Sequence, residues 1–419
     1  MYALGSLAVV LFASTGVLGV GSPIGYATGT TGGAGAAQAI PTSAAQLKSW
    51  LEDSTTRNIL LDRTYDFTDT EGSVTETGCK PWTCTPNPQL AINANGWCSS
   101  TAAQVSVTYK KAGTSGILVG SNKTILGKGT SGWIKGKGLR LSGSSNIIIQ
   151  NLRISDLNPQ YVWGGDAIGL EGATKIWIDH NYIQSTGRQF LVSVSFINFL
   201  FSCRQCLACS TIMQTPRSQS PTTSSTGRLP GRKFYCAKAW NWKNSHPLFP
   251  DFSTGCDEHH YWAFMFVGNG DYITFARNYI YHTAGRGPKV GGTSGYTQNI
   301  HMHNNYFNDI TGHALDAGVG SRVLMEGNYF NAVKTPSTGD ADGTVFAPTS
   351  STMNAQCSST LGRNCVSNTL AGGSGSLSNT ANTAAISPFT APVVKSASIM
   401  DPSAVAAYVL ANAGLGKVN

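Results

Sequence analysis

The residues best suited to chemistry fall in four short stretches: Trp163-Gly164-Gly165-Asp166-Ala167-Ile168, Trp177-Ile178-Asp179-His180, Gly187-Arg188-Gln189 and Gly285-Arg286-Gly287-Pro288-Lys289. They offer one glycine-flanked carboxylate, Asp166, against the cations Arg188, Arg286 and Lys289. Cations held near a reacting group stabilise negative charge that develops on oxygen, while a base within reach removes a proton. Calcium needs several oxygen ligands, so a single carboxylate beside an arginine makes a poor cage for it. Taken alone, Asp166 reads equally as a turn cap after two glycines. Asp179 and His180 read as structural residues that orient a turn near such a site.

Two further groupings have the look of metal sites. His301 and His303, two apart, face the same side of a strand, but they sit inside a repeat and no third ligand is evident. Cys203, Cys206, Cys209 and Cys236 have a superficial iron–sulfur or zinc spacing, without further matching ligands. Thiols or disulfides are the plainer reading. The expectation is no metal and no other cofactor.

One recurring element must position these residues. NIIIQNLRIS (146–155), KIWIDHNYIQ (175–184), YITFARNYIY (272–281), NIHMHNNYFN (299–308) and RVLMEGNYFN (322–331) each alternate apolar residues and then turn at an asparagine. The matching Asn151, Asn181, Asn278, Asn305 and Asn328 stand 30, 97, 27 and 23 residues apart. A strand-and-turn repeat of this length, without helical periods between strands, predicts a β-solenoid whose coils share one core. Stacked coils place the asparagines above one another, where amide ladders satisfy the turn backbone. The chain is thus predicted all-β. A short helix over 42–52 should cap the core, with Leu47, Trp50 and Leu51 on its apolar face. Another, after Asp401-Pro402, should pack on the solenoid through Val405, Tyr408 and Val409.

Composition agrees. Charged residues are 12% of the 419, half the usual share, and glycines number 48, which excludes a coiled coil or a disordered chain. The net charge of +8 is concentrated between Phe190 and Pro250, which hold seven cations and no acid, without the basic helix or zinc-finger spacing of a nucleic-acid binder. Residues 1–19 read as a signal peptide despite lacking a basic n-region, and no later stretch that is both uncharged and apolar has the length of a membrane span. A secreted, extracellular protein follows, with disulfides expected among ten cysteines and Asn122-Lys123-Thr124 as a glycosylation site.

In this order and on this repeat, WGGDAI, WIDH, TGRQ and GRGPKVGG resemble the secreted fungal pectin lyases of the pectate lyase superfamily, from about residue 20 to residue 415. The resemblance implies a right-handed parallel β-helix that cleaves α-1,4-linked, methyl-esterified galacturonan by β-elimination, acting as a monomer on pectin. It implies Arg286 as the catalytic arginine, proposed as the base despite arginine's high pKa. Asp166 would be the cleft aspartate, and Arg188 would stand where pectate lyases keep a calcium-binding carboxylate. Lys289 and Arg188 would depress the Arg286 pKa and steady enolate charge. Trp82, Trp97, Trp163, Tyr261 and Trp262 match the aromatic cleft, and Cys79–Cys98, Cys84–Cys256 and Cys357–Cys365 are the implied disulfides. The implied organisation is a catalytic β-helix over 20–370 and a Ser/Gly/Thr-rich tail with its helix over 371–419.

The resemblance fails over 190–250, a stretch with no acid and four unmatched cysteines. Its composition suggests retained intron or shifted-frame translation. A genuine segment would remove or bulge out one coil beside Arg188. A calcium-dependent pectate lyase and a polysaccharide-binding solenoid that has lost its site are the competing readings.

Overall fold

A computed structural model describes residues 21–84, 88–194, 205–213 (backbone alone) and 255–418. Residues 1–20, which include the expected signal peptide, and Cys203 and Cys236 lie outside the described residues.

The alternating segments form strands that stack in parallel, coil upon coil. Ile59, Ile125, Ile149 and Ile178 follow one another in register, and beyond the next strand so do Phe275, Met302 and Met325. All seven side chains are buried in one core cluster. A single column of apolar side chains therefore runs through the molecule, each covered by the coils on either side. After the asparagine turn a second set of strands stacks likewise, from Arg153–Ser155 through Thr174–Ile183 and Tyr279–Thr283 to Tyr329–Thr338, with Phe307 and Phe330 stacked at 4.6 Å. A third set comprises Leu139–Ser142, Ile168–Glu171, Leu191–Val194, Phe264–Phe266 and Lys289–Val290. Three stacked parallel sheets traced by successive coils make a parallel β-helix.

The asparagines ladder from Asn278 onward, but Asn151 stands off the ladder: register sets Leu152 beside Asn181, whose Oδ1 accepts from Leu152 N, and the Asn151 amide donates instead to the Gly127 and Gly129 carbonyls. Asn278 donates through its backbone N–H and its amide to Asn305 Oδ1, Asn305 does the same to Asn328, and Asn328 to Asn368. Asn368 belongs to no copy of the repeat and joins only through the fold. All four are buried, and the ladder saturates turns that water cannot reach.

The segment after Gln189 corrects the expectation of a lost coil. Gln205–Met213 forms a strand between Thr174–Ile183 and Asp271–Ala276, in parallel register with both. The third sheet passes directly from Leu191–Val194 to Phe264–Phe266. What lapses is the ladder, because position 211 stands between Asn181 and Asn278.

Ala44–Glu52 is helical, its Ser43 side chain accepting from Gln46 N, with Leu47 and Leu51 in the main core and Trp50 against it. The helix Pro402–Asn412 buries Val405 and Val409 against Tyr279 and Tyr306. Tyr408, expected in that stripe, instead turns outward, 38% exposed, with the Arg277 guanidinium over its ring. The tail before this helix is packed structure: Phe346, Phe389, Ile386 and Val394 bury together around the Cys357–Cys365 disulfide. His301 and His303 are buried beneath that layer. His301 Nε2 lies 2.8 Å from Glu326, which Arg363 also grips at 2.7 Å, so His301 belongs to an ion cluster, with the His303 ring 4.6 Å from its own.

Candidate active site

Register alone assembles the site. In the third sheet Gly169, Val192, Met265, Lys289 and Asp316 are consecutive partners. Counting back three residues from each gives Asp166, Gln189, Trp262, Arg286 and His313. These five, far apart in sequence, occupy equivalent places in successive coils, in the turns that enter the third sheet.

The column is bonded together. Asp166 accepts from Gln189 N at 2.8 Å and from Arg188 Nη1 at 3.2 Å. Gln189, in the amide orientation that satisfies both its ends, donates to the Trp262 carbonyl at 3.1 Å and accepts from Arg286 Nη1 at 2.8 Å. Arg286 N donates to His313 Nε2 at 3.1 Å. The glycines of the motifs permit this closeness. At Gly165, φ is 144° and a Cβ would stand 1.9 Å from the Gly113 carbonyl oxygen. At Gly187 a Cβ would stand 2.4 Å from Gly164 Cα. Larger residues would force the Asp166 and Arg188 turns apart.

Arg286 is held without a counter-ion. Its backbone is left-handed at φ 49°, its Nη1 meets the Met265 sulfur at 3.0 Å, and its guanidinium lies 4.3 Å over the Trp262 ring. Among the described residues no carboxylate is within ion-pair distance of it. Burial, reinforced by the like charge of Arg188, holds its pKa below the ordinary arginine value. Burial also pushes the Asp166 carboxyl up, against the pull of Arg188, the Gln189 N–H and Arg286. His260, stacked on Phe190 at 4.2 Å, is driven down to about 4 by burial. As a neutral ring at neutral pH it donates through Nε2 to the Arg188 carbonyl at 2.8 Å, fixing the arginine's backbone.

Two expectations change. Lys289 is paired with Asp316 at 3.0 Å and is therefore no free cation beside Arg286. Trp262 is buried, its face taken by Arg286, so it supports the arginine rather than offering a platform. The other aromatics form a run: Trp82, 43% exposed, contacts Trp97 at 5.9 Å, which contacts Trp163 at 6.3 Å, and the Arg188 guanidinium lies 3.8 Å over Trp163. Tyr261 packs edge-on to Trp262 at 5.2 Å. A small side sheet of Ser73–Trp82, Gln89–Ala91, Ala103–Lys110 and Tyr161–Val162 carries this wall. Cys79–Cys98 pins it, and Cys84–Cys256 ties it to the loop bearing Tyr261 and Trp262. All three disulfides pair as the resemblance implied.

Asp179 and His180 lie outside this column. Asp179 accepts from Gln150 at 2.7 Å and meets His180 Nδ1 at 2.6 Å, a structural cluster on the first sheet. Sequence reading gave no role to Gln189, His260 or His313. The signal for Gln189 and His313 was the constant offset from the third-sheet strand, visible only once the strands are in register, and His260, outside that offset, is marked only by its bond to the Arg188 carbonyl.

A family model described as pectate lyase matches residues 2–190 and 267–418, breaking off across the divergent segment. Pectin lyase B of Emericella nidulans is 42% identical over 411 residues, 97% of this chain and 96% of the relative. A probable pectin lyase A of Aspergillus oryzae is 44% identical over 382 residues, 90% of this chain and 89% of the relative. A Bacillus pectate lyase solved in complex with trigalacturonate is 21% identical and superposes with a TM-score of 0.52 over 95% of this chain and 100% of its own, a likeness of fold. By family model, by relatives matched along almost their whole length and by its β-helix, the chain belongs to the pectate lyase family, among its pectin lyases.

Proposed function

We propose that the protein cleaves methyl-esterified galacturonan by β-elimination without calcium, at the column of Asp166, Arg188 and Arg286. In this reaction the proton at C5 is removed, its electron pair forms the C4–C5 double bond through an enolate of the ester carbonyl, and the C4 oxygen leaves with the glycosidic bond. Arg286 faces C5: its depressed pKa and lack of a carboxylate partner support it as the group that handles the proton. Arg188, aimed by Asp166 and by the His260-held backbone, stabilises the enolate oxygen. The single observation that carries the reading is the Asp166–Gln189–Arg286 chain of hydrogen bonds, which joins the three motifs into one constellation.

The calcium of the wider family does not fit here. Among the described residues Asp166 is the one carboxylate at this point, and Arg188 Nη1 already occupies it at 3.2 Å. A methyl ester is neutral and has no need of a cation to become an electron sink, whereas a free galacturonate carboxylate does. Trp82, Trp97, Trp163 and Tyr261 are read as the wall along which sugar faces lie. The Ala44–Glu52 helix is read as the cap of the first coil, and the β-helix as right-handed. Secretion as a monomer, with the 1–19 leader removed and a glycan on Asn122, completes the proposal, and mass spectrometry of the secreted chain checks leader and glycan.

The test is ultraviolet absorbance of the 4,5-unsaturated product from highly methylated pectin and from polygalacturonate, each with calcium and with chelator. Product from methylated pectin in chelator is expected. Product only from polygalacturonate with calcium overturns the metal-free reading, and none from either substrate with folded protein overturns the enzymatic one.

A further inference from the structure

We propose that His259, His282 and Asp309 form a binding site for a divalent transition metal of the zinc type, which fastens the loop of Tyr261 and Trp262 to the β-helix. The three side chains come from that loop and from two successive strands of the second sheet, Tyr279–Thr283 and Tyr306–Ala317. Their ligand atoms all lie within 4.8 Å of one another. His282 Nδ1 is 2.8 Å from Asp309 Oδ2, and His259 Nε2 is 3.5 Å from Asp309 Oδ1. A tetrahedral zinc with bonds of ~2.1 Å sets its ligand atoms roughly 3.4 Å apart, so small side-chain shifts close the site.

The hydrogen bonding of His259 points to a cation. Its Nδ1 is 3.0 Å from the Asp257 carbonyl oxygen and 3.6 Å from the Asp257 carboxylate, both acceptors, so Nδ1 carries the proton. In the neutral ring this leaves a lone pair on Nε2, which is buried without a hydrogen-bond partner and faces a carboxylate oxygen. Two acceptors face to face call for a cation between them. The Asp257 contacts are those that a metal-binding histidine makes through its distal nitrogen. Asp257 is itself steadied by Thr311 at 2.6 Å. Two imidazoles and one carboxylate favour zinc, cobalt or nickel over calcium or magnesium. Binding displaces the proton between His282 Nδ1 and Asp309 to solvent, so affinity rises with pH. The loop so held continues into His260, which bonds the Arg188 carbonyl, and into Tyr261 and Trp262 beside Arg286.

The experiment is calorimetric titration of the chelator-stripped full-length protein with zinc chloride, and with cobalt chloride monitored by visible absorption. One equivalent of zinc is expected, with a cobalt spectrum of tetrahedral intensity and a rise in Tm on loading. His259→Ala and Asp309→Asn should each weaken binding by about 100-fold or more, while His180→Asn, outside the cluster, binds as wild type. His259→Ala, on a loop, decides the matter if Asp309→Asn does not fold. Absence of stoichiometric uptake, or unchanged affinity in His259→Ala, overturns the proposal. So does a His259 that titrates as an imidazolium unaffected by zinc, since the bridging cation is then a proton.

Discussion

Two polar columns run up this β-helix, and they are built on opposite plans. At the turn between the first and second sheets the same residue recurs, and each asparagine from Asn278 to Asn368 bonds the next. At the turn entering the third sheet the equivalent places hold Asp166, Gln189, Trp262, Arg286 and His313, five residue types at one position. The first column is buried and saturated, so it contributes stability and is chemically inert. The second leaves Arg286 without a counter-ion beside partly open aromatic walls. In a repeat protein, identity between coils marks what holds the coils together, and departure from identity marks what the coils were recruited to do.

Substitutions should separate the two columns. Arg286→Lys keeps a charge but loses the planar fork that meets Gln189, and turnover on methylated pectin should fall by about 10³-fold with the unfolding midpoint nearly unchanged. Near-normal turnover would contradict the assignment. A buried charge that is paired should behave in the opposite way. Arg363 and His301 hold the Glu326 carboxyl down to about 2 despite its burial, against an ordinary 4.5. The folded state thus binds fewer protons than the unfolded one over that window. The contribution of Glu326 is full above about pH 4.5 and is lost as pH falls through about 2. Glu326→Gln should cost about 3 kcal/mol at neutral pH and flatten acid denaturation in that range, as read by urea unfolding against pH.

Asn305→Ala breaks the ladder at its centre, stranding groups on Asn278, Asn328 and the Phe275 carbonyl. Stability should drop by about 2 kcal/mol with kcat preserved; a loss of kcat instead would merge the two columns. The smallest effect should be a gain. Position 211 pairs with Asn181 and precedes the residue that pairs with Tyr279, so Thr211→Asn should join Asn181 to the ladder that starts at Asn278 and raise stability by about 1 kcal/mol. No gain in urea would mean that the shorter turn of Gln205–Met213 keeps an amide at 211 out of line with Asn181 and Asn278.

Much of this was legible in the chain because the repeat is local. Alternation of apolar residues names the strands, and the recurring asparagine names the ladder. The helix of Ala44–Glu52 follows from Ser43 and from Leu47 and Leu51 one turn apart. Asn368 was missed because it joins the ladder from a non-repeating loop, and Tyr408 was misassigned because helical spacing fixes a face without fixing how far round the core reaches. The segment after Gln189 resisted reading for a related reason: its strand keeps register on either side of the turn without the repeat's residues, and at the turn it is one residue short, with no counterpart of His180.

By itself the sequence determined the stacked coils, the motifs of Asp166, Arg188 and Arg286 and, through family resemblance, the disulfides, because each rests on local pattern or on short matched stretches. Only the tertiary structure decided which of these residues touch. It paired Lys289 with Asp316, buried Trp262 under Arg286, set Gln189 as the link between Asp166 and Arg286 and brought His259, His282 and Asp309 within reach of one ion. The physical reason is that neighbours along the axis of a β-helix are a full coil apart in sequence, so axial contacts are fixed by strand register and loop length rather than by any pattern within a coil.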